Sequence, residues 1–292
     1  MTTQLLLNII FYFSIIMILL LSFKYLYNTI SFLNLSHAII ITLSAYLTYL
    51  FAIQLGLNLY LAVLVAVVFS VLLGVGTYWL AYRPLLKKKV PSWQMLIASL
   101  GVYIVLQNLI SMYFGDDTKS FRTWQIKEGH RFLGAYITDV QIITIVVSFG
   151  LLVLSWLFIE KTNAGKRIKA VSSNPELSAV FGISKEKAVL TSFALGSALA
   201  AVAGILIAAD TDMTPTMGFN WLLYAVVAMI IGGMGKMRYL FMGALLLATA
   251  QHLSAYYLDS KWMNATAYII LIVFLYFKPY GFSGMRIKKA EI

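Results

Sequence analysis

Residues 36–56, SHAIIITLSAYLTYLFAIQLG, and 58–80, NLYLAVLVAVVFSVLLGVGTYWL, decide how this chain folds. They lie inside a run from Tyr25 to Tyr82 that contains no Asp, Glu, Lys or Arg. A helix in a water-soluble domain turns one stripe toward a core, so a soluble fold has no place for that much apolar surface. A helix that crosses a bilayer needs about 20 predominantly apolar residues. Both stretches reach that length, and similar blanks recur toward the C-terminus. The chain reads as all-α, a polytopic bundle of transmembrane helices.

Of its 292 residues, 61% are hydrophobic and 11% charged, with a mean hydropathy of +0.86. At about 30 residues per crossing and connector, that composition supports roughly eight to ten crossings. No stretch remains for a soluble domain of about 50 residues or more, so residues 1–292 are expected to form one transmembrane domain. The net charge of +11 is carried by short connectors. Basic connectors set orientation in a bilayer, so no nucleic-acid partner is implied. The absence of cysteine excludes disulfides and thiolate metal sites. The first apolar stretch, Leu5 to Phe23, lacks a basic leading region and a small-residue cleavage site, so it is expected to be a retained span.

Nine segments result: 5–23, 36–56, 58–80, 93–114, 140–159, 188–209, 216–235, 239–258 and 262–277. Their direction follows from the 22 basic residues. Arg83, Lys87, Lys88 and Lys89 follow the third segment, and Lys161, Lys166, Arg167, Lys169, Lys185 and Lys187 follow the fifth. Lys236 and Arg238 follow the seventh, and Lys278, Arg286, Lys288 and Lys289 crowd the tail. The alternate connectors are balanced or acidic: 115–139 carries four charges of each sign, and 210–220 has Asp210 and Asp212 without a base. Basic connectors face the cytoplasm. The N-terminus is therefore expected outside and the C-terminus inside.

Two segments are poor plain spans. Polar residues from Asn28 through Asn34, Ser36 and His37 crowd the entrance to the second segment. Pro215, Gly218, Phe219 and Asn220 precede a short seventh run that ends in Gly232-Gly233-Met234-Gly235. Interrupted helices in corresponding places of two halves mark a transport pathway. By parity, segments one to four and six to nine run in opposite senses, so segments two and seven would correspond in an inverted repeat about segment five. The sixth segment is rich in small residues, from Ala194 and Gly196 to Ala203 and Gly204, which lets helix backbones approach closely. Gly74 and Gly76 in the third segment read the same way.

The usual energy-coupling chemistry is missing from the sequence. Neither Gly165-Lys166-Arg167 nor Gly235-Lys236-Met237 belongs to a phosphate-binding loop. His37, His130 and His252 are scattered, and no metal helix is present. Asp and Glu fall in connectors or at segment ends, whereas a proton-driven carrier would hold ionisable groups near the midplane. Either a passive pore or the membrane part of a machine powered by other subunits fits this pattern. An intramembrane enzyme does not, since Gly115-Asp116-Asp117 lies at a segment end and no Ser/His pair shares a helix face. No cofactor is expected.

Residues 160–187 form the longest cytoplasmic connector. Within it Asn174 is a good N-cap, Pro175 suits the first helical position, Glu176 suits the positive helix end, and Gly182 can close the helix. On capping alone an ordinary connector helix is the preferred reading, with a docking element as the alternative.

The stretch from Gly165 to Ile183 resembles the cytoplasmic loop of permease subunits in the branched-chain amino acid ABC transporter family, the LivH type. Such members carry a G-[KR]-x-[IL]-[KR]-A run and then an N/D-P-E-x-A-x-x-x-G-I run, and this chain fits both apart from Ser178. The similarity continues through Ser192 to Ala200, Ala203-Gly204, Ile231 to Gly235, and Lys278-Pro279-Tyr280-Gly281. In the first half it takes in Asn34-Leu35-Ser36-His37, Ala45-Tyr46, Ala81-Tyr82-Arg83-Pro84-Leu85, Leu106-Gln107-Asn108 and Phe114-Gly115. Where the family often has Gly and Glu after the His, this chain has Ala38 and Ile39, and Ser44 replaces another frequent Gly.

The resemblance implies a subunit of the inner (cytoplasmic) membrane, without enzymatic activity of its own. Its expected partners are a second permease, identical or not, two cytoplasmic ATP-binding subunits and an external substrate-binding protein. It points to Pro175, Glu176, Ala179, Phe181 and Gly182 as the ATPase-docking residues. Asn34, Ser36 and His37, with Gly218 and Asn220, become the translocation-pathway candidates. Backbone groups freed at helix breaks could bond a zwitterionic solute without burying a charge. Asn34 and His37 could equally satisfy one another or the neighbouring backbone. Lys119, Arg122, Lys127 and Arg131 of the external connector could meet acids on a binding protein. Branched-chain or related amino acids are the implied cargo; urea, short amides or another small polar solute, and a stand-alone carrier or channel, remain alternatives.

Overall fold

A computed structural model describes residues 2–123, 129–233 and 237–284. The chain forms α1 (Thr2–Ile30), α2 (His37–Tyr49), α3 (Leu59–Thr77), α4 (Arg83–Lys87), α5 (Ser92–Phe114) and α6 (Asp139–Lys161). There follow α7 (Asn163–Ser173), α8 (Pro175–Val180), α9 (Lys185–Thr211), α10 (Met217–Gly232), α11 (Met237–Tyr257) and α12 (Trp262–Phe277). π-helical turns prolong α2 through Leu50–Gln54 and join α3 to α4 through Tyr78–Tyr82. Among the described residues, six helical stretches are long and apolar enough to cross a membrane: Thr3–Ile30, His37–Gln54, Leu59–Lys87, Ser92–Phe114, Asp139–Lys161 and Lys185–Thr211. The last three predicted segments also fall on helices. However, α10 and α12 have only 16 residues each, and the 21-residue α11 is diluted by Arg238, Gln251 and His252.

Two local expectations change. α1 does not stop near Phe23 but continues to Ile30, because nothing between them breaks a helix and Lys24 is carried inside it. Its 29 residues span about 44 Å at 1.5 Å per residue. The long connector after α5 also holds a hairpin, β1 (His130–Phe132) and β2 (Ala135–Ile137), paired antiparallel. Its two turn residues, Leu133 and Gly134, both take positive φ, the geometry that suits the twist of a two-residue hairpin.

The chain divides into two units. One draws on Leu21–Arg122 and Gly150–Asn220. Its centre is α9, and the small residues of that helix have specific counterparts. A Cβ on Gly196 would overlap Leu26 and the Ser22 carbonyl of α1, and one on Gly204 would overlap the Ile41 carbonyl of α2. Gly74 of α3 similarly leaves room for Ser197. In a bilayer, lipid is as apolar as a neighbouring helix, so association depends on such close contact. Gly76 faces open space and shares none of this role.

The other unit draws its described residues from Met1–Leu20, Thr123–Phe149 and Trp221–Glu291. Here Gly243 of α11 lies against the Ala228 carbonyl of α10. Gly233 ends α10 at φ 78°. The tail then covers the carbonyls that the helix leaves free: Phe282 N–H donates to Ile231 (2.8 Å) and Ser283 N–H to Gly232 (3.1 Å). Gly281 permits this approach, since a Cβ there would overlap the Ile230 carbonyl. The Gly232-Gly233 and Tyr280-Gly281 motifs are thus two halves of one helix terminus. Met234, Gly235 and Lys236 lie outside the described residues, as do Arg286, Lys288 and Lys289.

Gly204→Leu is expected to cost about 1–3 kcal/mol through overpacking, whereas Gly76→Ala should stay within about 0.5 kcal/mol of the parent. Thermal unfolding of the purified protein in detergent measures both.

Candidate functional site

Between α1 and α2 the chain is broken, with Phe32, Asn34 and Ser36 buried. Ser31 takes φ 58° and ends α1. Leu33 to Ser36 then pass through the interior before α2 begins, leaving backbone groups that need partners. Ser99 of α5 supplies two: its hydroxyl accepts from Leu35 N–H (3.1 Å) and approaches the Leu33 carbonyl (3.3 Å). Asn34, 1% exposed, accepts at Oδ1 from the Ser36 hydroxyl (2.8 Å) and the Tyr82 hydroxyl (2.9 Å). The Ser36 and Tyr82 hydroxyls lie 2.5 Å apart. His37, 2% exposed, has Nε2 3.2 Å from Ser22 Oγ. Asn34 and Ser36 therefore belong to one buried cluster with Tyr82, while His37 is paired with α1.

The second break precedes α10. Asp212 takes φ 67°, and Met213 pairs antiparallel with Lys119 through backbone bonds of 3.0 and 2.9 Å. Arg122 donates to the Asp210 carbonyl (3.0 Å) and forms an ion pair with Asp212. Gly218 then enters a tight contact with the start of α2. Its N–H donates to Thr42 Oγ1 (3.1 Å), and a Cβ there would overlap the Ala38 carbonyl. Phe219 lies 5.0 Å from the Tyr103 ring, centroid to centroid. Asn220 is exposed. Among the pathway residues read from the sequence, Gly218 thus meets the first turns of α2, and Asn220 does not join the Asn34 cluster.

The connector after α6 folds into two helices. Thr162 caps α7 by accepting from Gly165 N–H (3.0 Å), and Gly165 fits closely against the backbone of Phe158 and Ile159. The side chain of Asn174 caps α8 by accepting from Glu176 N–H (3.1 Å) and Leu177 N–H (3.0 Å). Gly182, at φ 73°, closes it. Ser178 is the buried residue of α8, and its hydroxyl donates to the Asn174 carbonyl (2.7 Å). Pro175, Glu176, Ala179, Phe181 and Gly182 are all exposed. Leu177 (53% exposed), Val180 (81%) and Phe181 (74%) make the outer face apolar.

Tyr82, Ser99 and Ser22 were not among the residues singled out from the sequence. Tyr82 stood in the Ala81-Tyr82-Arg83-Pro84-Leu85 motif, but nothing in a linear reading ties its hydroxyl to Asn34. Of the cations in the connector after α5, Arg122 is engaged with Asp212, Lys119 lies 4.0 Å from Asp117, and Arg131 is exposed on β1. Lys127 lies outside the described residues.

Comparison with known proteins agrees with this architecture. The chain is 27% identical over 224 residues to the high-affinity branched-chain amino acid transport system permease protein LivH of Escherichia coli, covering 75% of this chain and 72% of the relative. It is 28% identical over 234 residues to a probable branched-chain amino acid transport permease protein LivH of Methanocaldococcus jannaschii, covering 77% and 74%. Over 146 residues, 47% of this chain and 42% of the relative, it is 26% identical to the galactose/methyl galactoside import permease protein MglC of Haemophilus influenzae. The family model described as branched-chain amino acid transport system / permease component matches residues 5–277. With its helical spans, buried helix breaks and capped connector helix, the chain belongs to that family of transport-system permease components.

Proposed function

We propose that this permease moves branched-chain or related amino acids into the cytoplasm, driven by ATP-binding subunits that dock on α8. The observation that carries the reading is the exposed apolar face of α8. A six-residue helix that is capped at both ends and held by one buried serine, yet presents Leu177, Val180 and Phe181 outward, is built to be covered by a partner. Pro175, Glu176, Ala179, Phe181 and Gly182 line that face or close it, and residues 160–187 act as the coupling loop of a single permease domain. A second permease and an external binding protein complete the importer.

Nine crossings, related by an inverted repeat, fit this role. The short α10 and the interrupted α2 would be the corresponding elements. Their starts adjoin at Gly218, Ala38 and Thr42, where the solute would pass. Asn34, Ser36, His37, Gly218 and Asn220 remain the pathway residues of this reading. No carboxylate, lysine or arginine joins the bonds described for Asn34, Ser36, His37 and Gly218, which suits a solute whose own charges cancel.

Four tethers support an external N-terminus and a cytoplasmic C-terminus. Arg83 binds Glu186 at 2.8 Å, which keeps the basic connectors after α3 and α6 on one side. The Lys119–Met213 bridge joins the two connectors expected outside. Within the other unit, the Gln4 side chain bonds the backbone of Tyr136 (3.0 and 2.8 Å), and the tail bonds the end of α10.

The parent sequence has no cysteine, so single cysteines report topology directly. A membrane-impermeant maleimide is expected to label Thr118→Cys in intact cells, and Lys88→Cys and Ala179→Cys only after permeabilisation. The reverse pattern would overturn the orientation. Glu176→Lys is expected to insert normally and to uncouple ATP hydrolysis from uptake; unchanged uptake would count against docking through α8. Uptake of labelled leucine by the assembled importer should be competed by valine and isoleucine and not by urea, galactose or xylose. Competition by one of the latter would reassign the cargo.

A further inference from the structure

We propose that Arg83 and Tyr82 are positioning residues that carry movement of α8 to the buried break before α2. This rests on the docking role of α8 and names the route inward from it. The link begins at the α8–α9 junction, where Gly182 and Ile183 are bonded back to Ala179 and Ser178 (both 2.9 Å). Displacing α8 therefore displaces the first turn of α9. Glu186 lies in that turn, and its carboxylate accepts from Arg83 at 2.8 Å. The Arg83 guanidinium is also stacked on Trp79, 4.0 Å from the ring centroid. Farther along α9, Phe193 packs on Tyr78 (5.2 Å) and Tyr82 (6.1 Å). Both of those tyrosines belong to the π-helical turn that ends at Tyr82. From there the Tyr82 hydroxyl reaches Asn34 and Ser36 inside the break.

The π-helical turn makes this route a two-state element rather than a line of neighbours. It holds one residue more than an α-helical turn, and such turns inside α-helices are frequent at functional sites. Closing it into α-helix turns residue 82 by about 100° relative to what precedes it. That rotation withdraws the hydroxyl from Asn34 and Ser36 and releases the break. The Arg83–Glu186 pair is part-exposed, with side chains 27% and 41% accessible, so it adds little to stability. Its use is to couple the turn to α9.

The test is Tyr82→Phe in the importer assembled from this chain, its partner permease, its ATP-binding subunits and its binding protein in proteoliposomes. The ring packing survives and one hydroxyl is lost. The ATP-binding subunits should still co-purify and hydrolyse ATP at the basal rate. Stimulation by loaded binding protein, and uptake per ATP, should fall at least about fivefold, the lower end of ordinary coupling between sites. Arg83→Glu should show the same loss, and adding Glu186→Arg should restore stimulation. Parental stimulation and uptake in Tyr82→Phe would overturn the proposal, as would failure of the charge exchange to restore coupling at parental thermal stability. Failure of the ATP-binding subunits to co-purify with the parent chain would instead sink the docking role itself.

Discussion

The backbone of α9 approaches α1, α2 and α3 more closely than ordinary side chains would allow, and the rest of the larger unit depends on that approach. Gly196, Ser197 opposite Gly74, and Gly204 each occupy a place where more atoms would strike a neighbouring helix. In water, a core can form around bulky apolar residues because burial itself is favourable. Inside a bilayer that driving force is absent between helices, and dense packing must supply the attraction. A helix rich in Ala, Gly and Ser is therefore the natural centre of this unit. α3, α5 and α6, by contrast, keep large exposed residues such as Leu64, Leu72, Ile97, Val146 and Leu154 on faces suited to lipid.

Such packing allows the chain to leave helical form twice among closely packed helices. Each interruption frees backbone groups that lipid cannot satisfy, so non-helical backbone survives only where protein surrounds it. Ser99 and Tyr82 meet the need at the first break, and Thr42 meets part of it at the second. The first cluster is closed: Asn34, Ser36 and Tyr82 bond to one another, and Ser99 bonds to the local backbone. A solute that used these groups would have to replace bonds already made. In the proposed importer, opening a pathway here would require a change in the helices that hold Tyr82 and Gly218.

The connector after α6 has the opposite character. α7 buries Gly165, Ile168 and Val171, whereas α8 is shaped by capping rather than by packing and keeps its apolar residues outward. Arg83 and Glu186 join this surface to the membrane helices through a pair that contributes specificity of position more than energy. Elsewhere in the same unit, Arg122 and the Lys119–Met213 bridge tie the connector after α5 to the chain just before α10. Arg122 is thereby held within the protein, although its place in the sequence suggested a contact with a partner.

Hydropathy and charge placement determined that the chain is a helical membrane protein and where its helices lie, because bilayer crossing imposes length and composition locally. The cap at Asn174, the turn at Gly182 and the two interrupted segments were legible for the same reason: each is a property of a few adjacent residues. The hairpin at 130–137 was not read, since three-residue strands leave little pattern and its turn begins with Leu133. Tertiary structure alone decided that Gly218 sits on Ala38 and that Tyr82 closes the cluster around Asn34. Those outcomes join residues as many as 180 positions apart, and no local propensity records which helix will lie within hydrogen-bonding distance of a broken one.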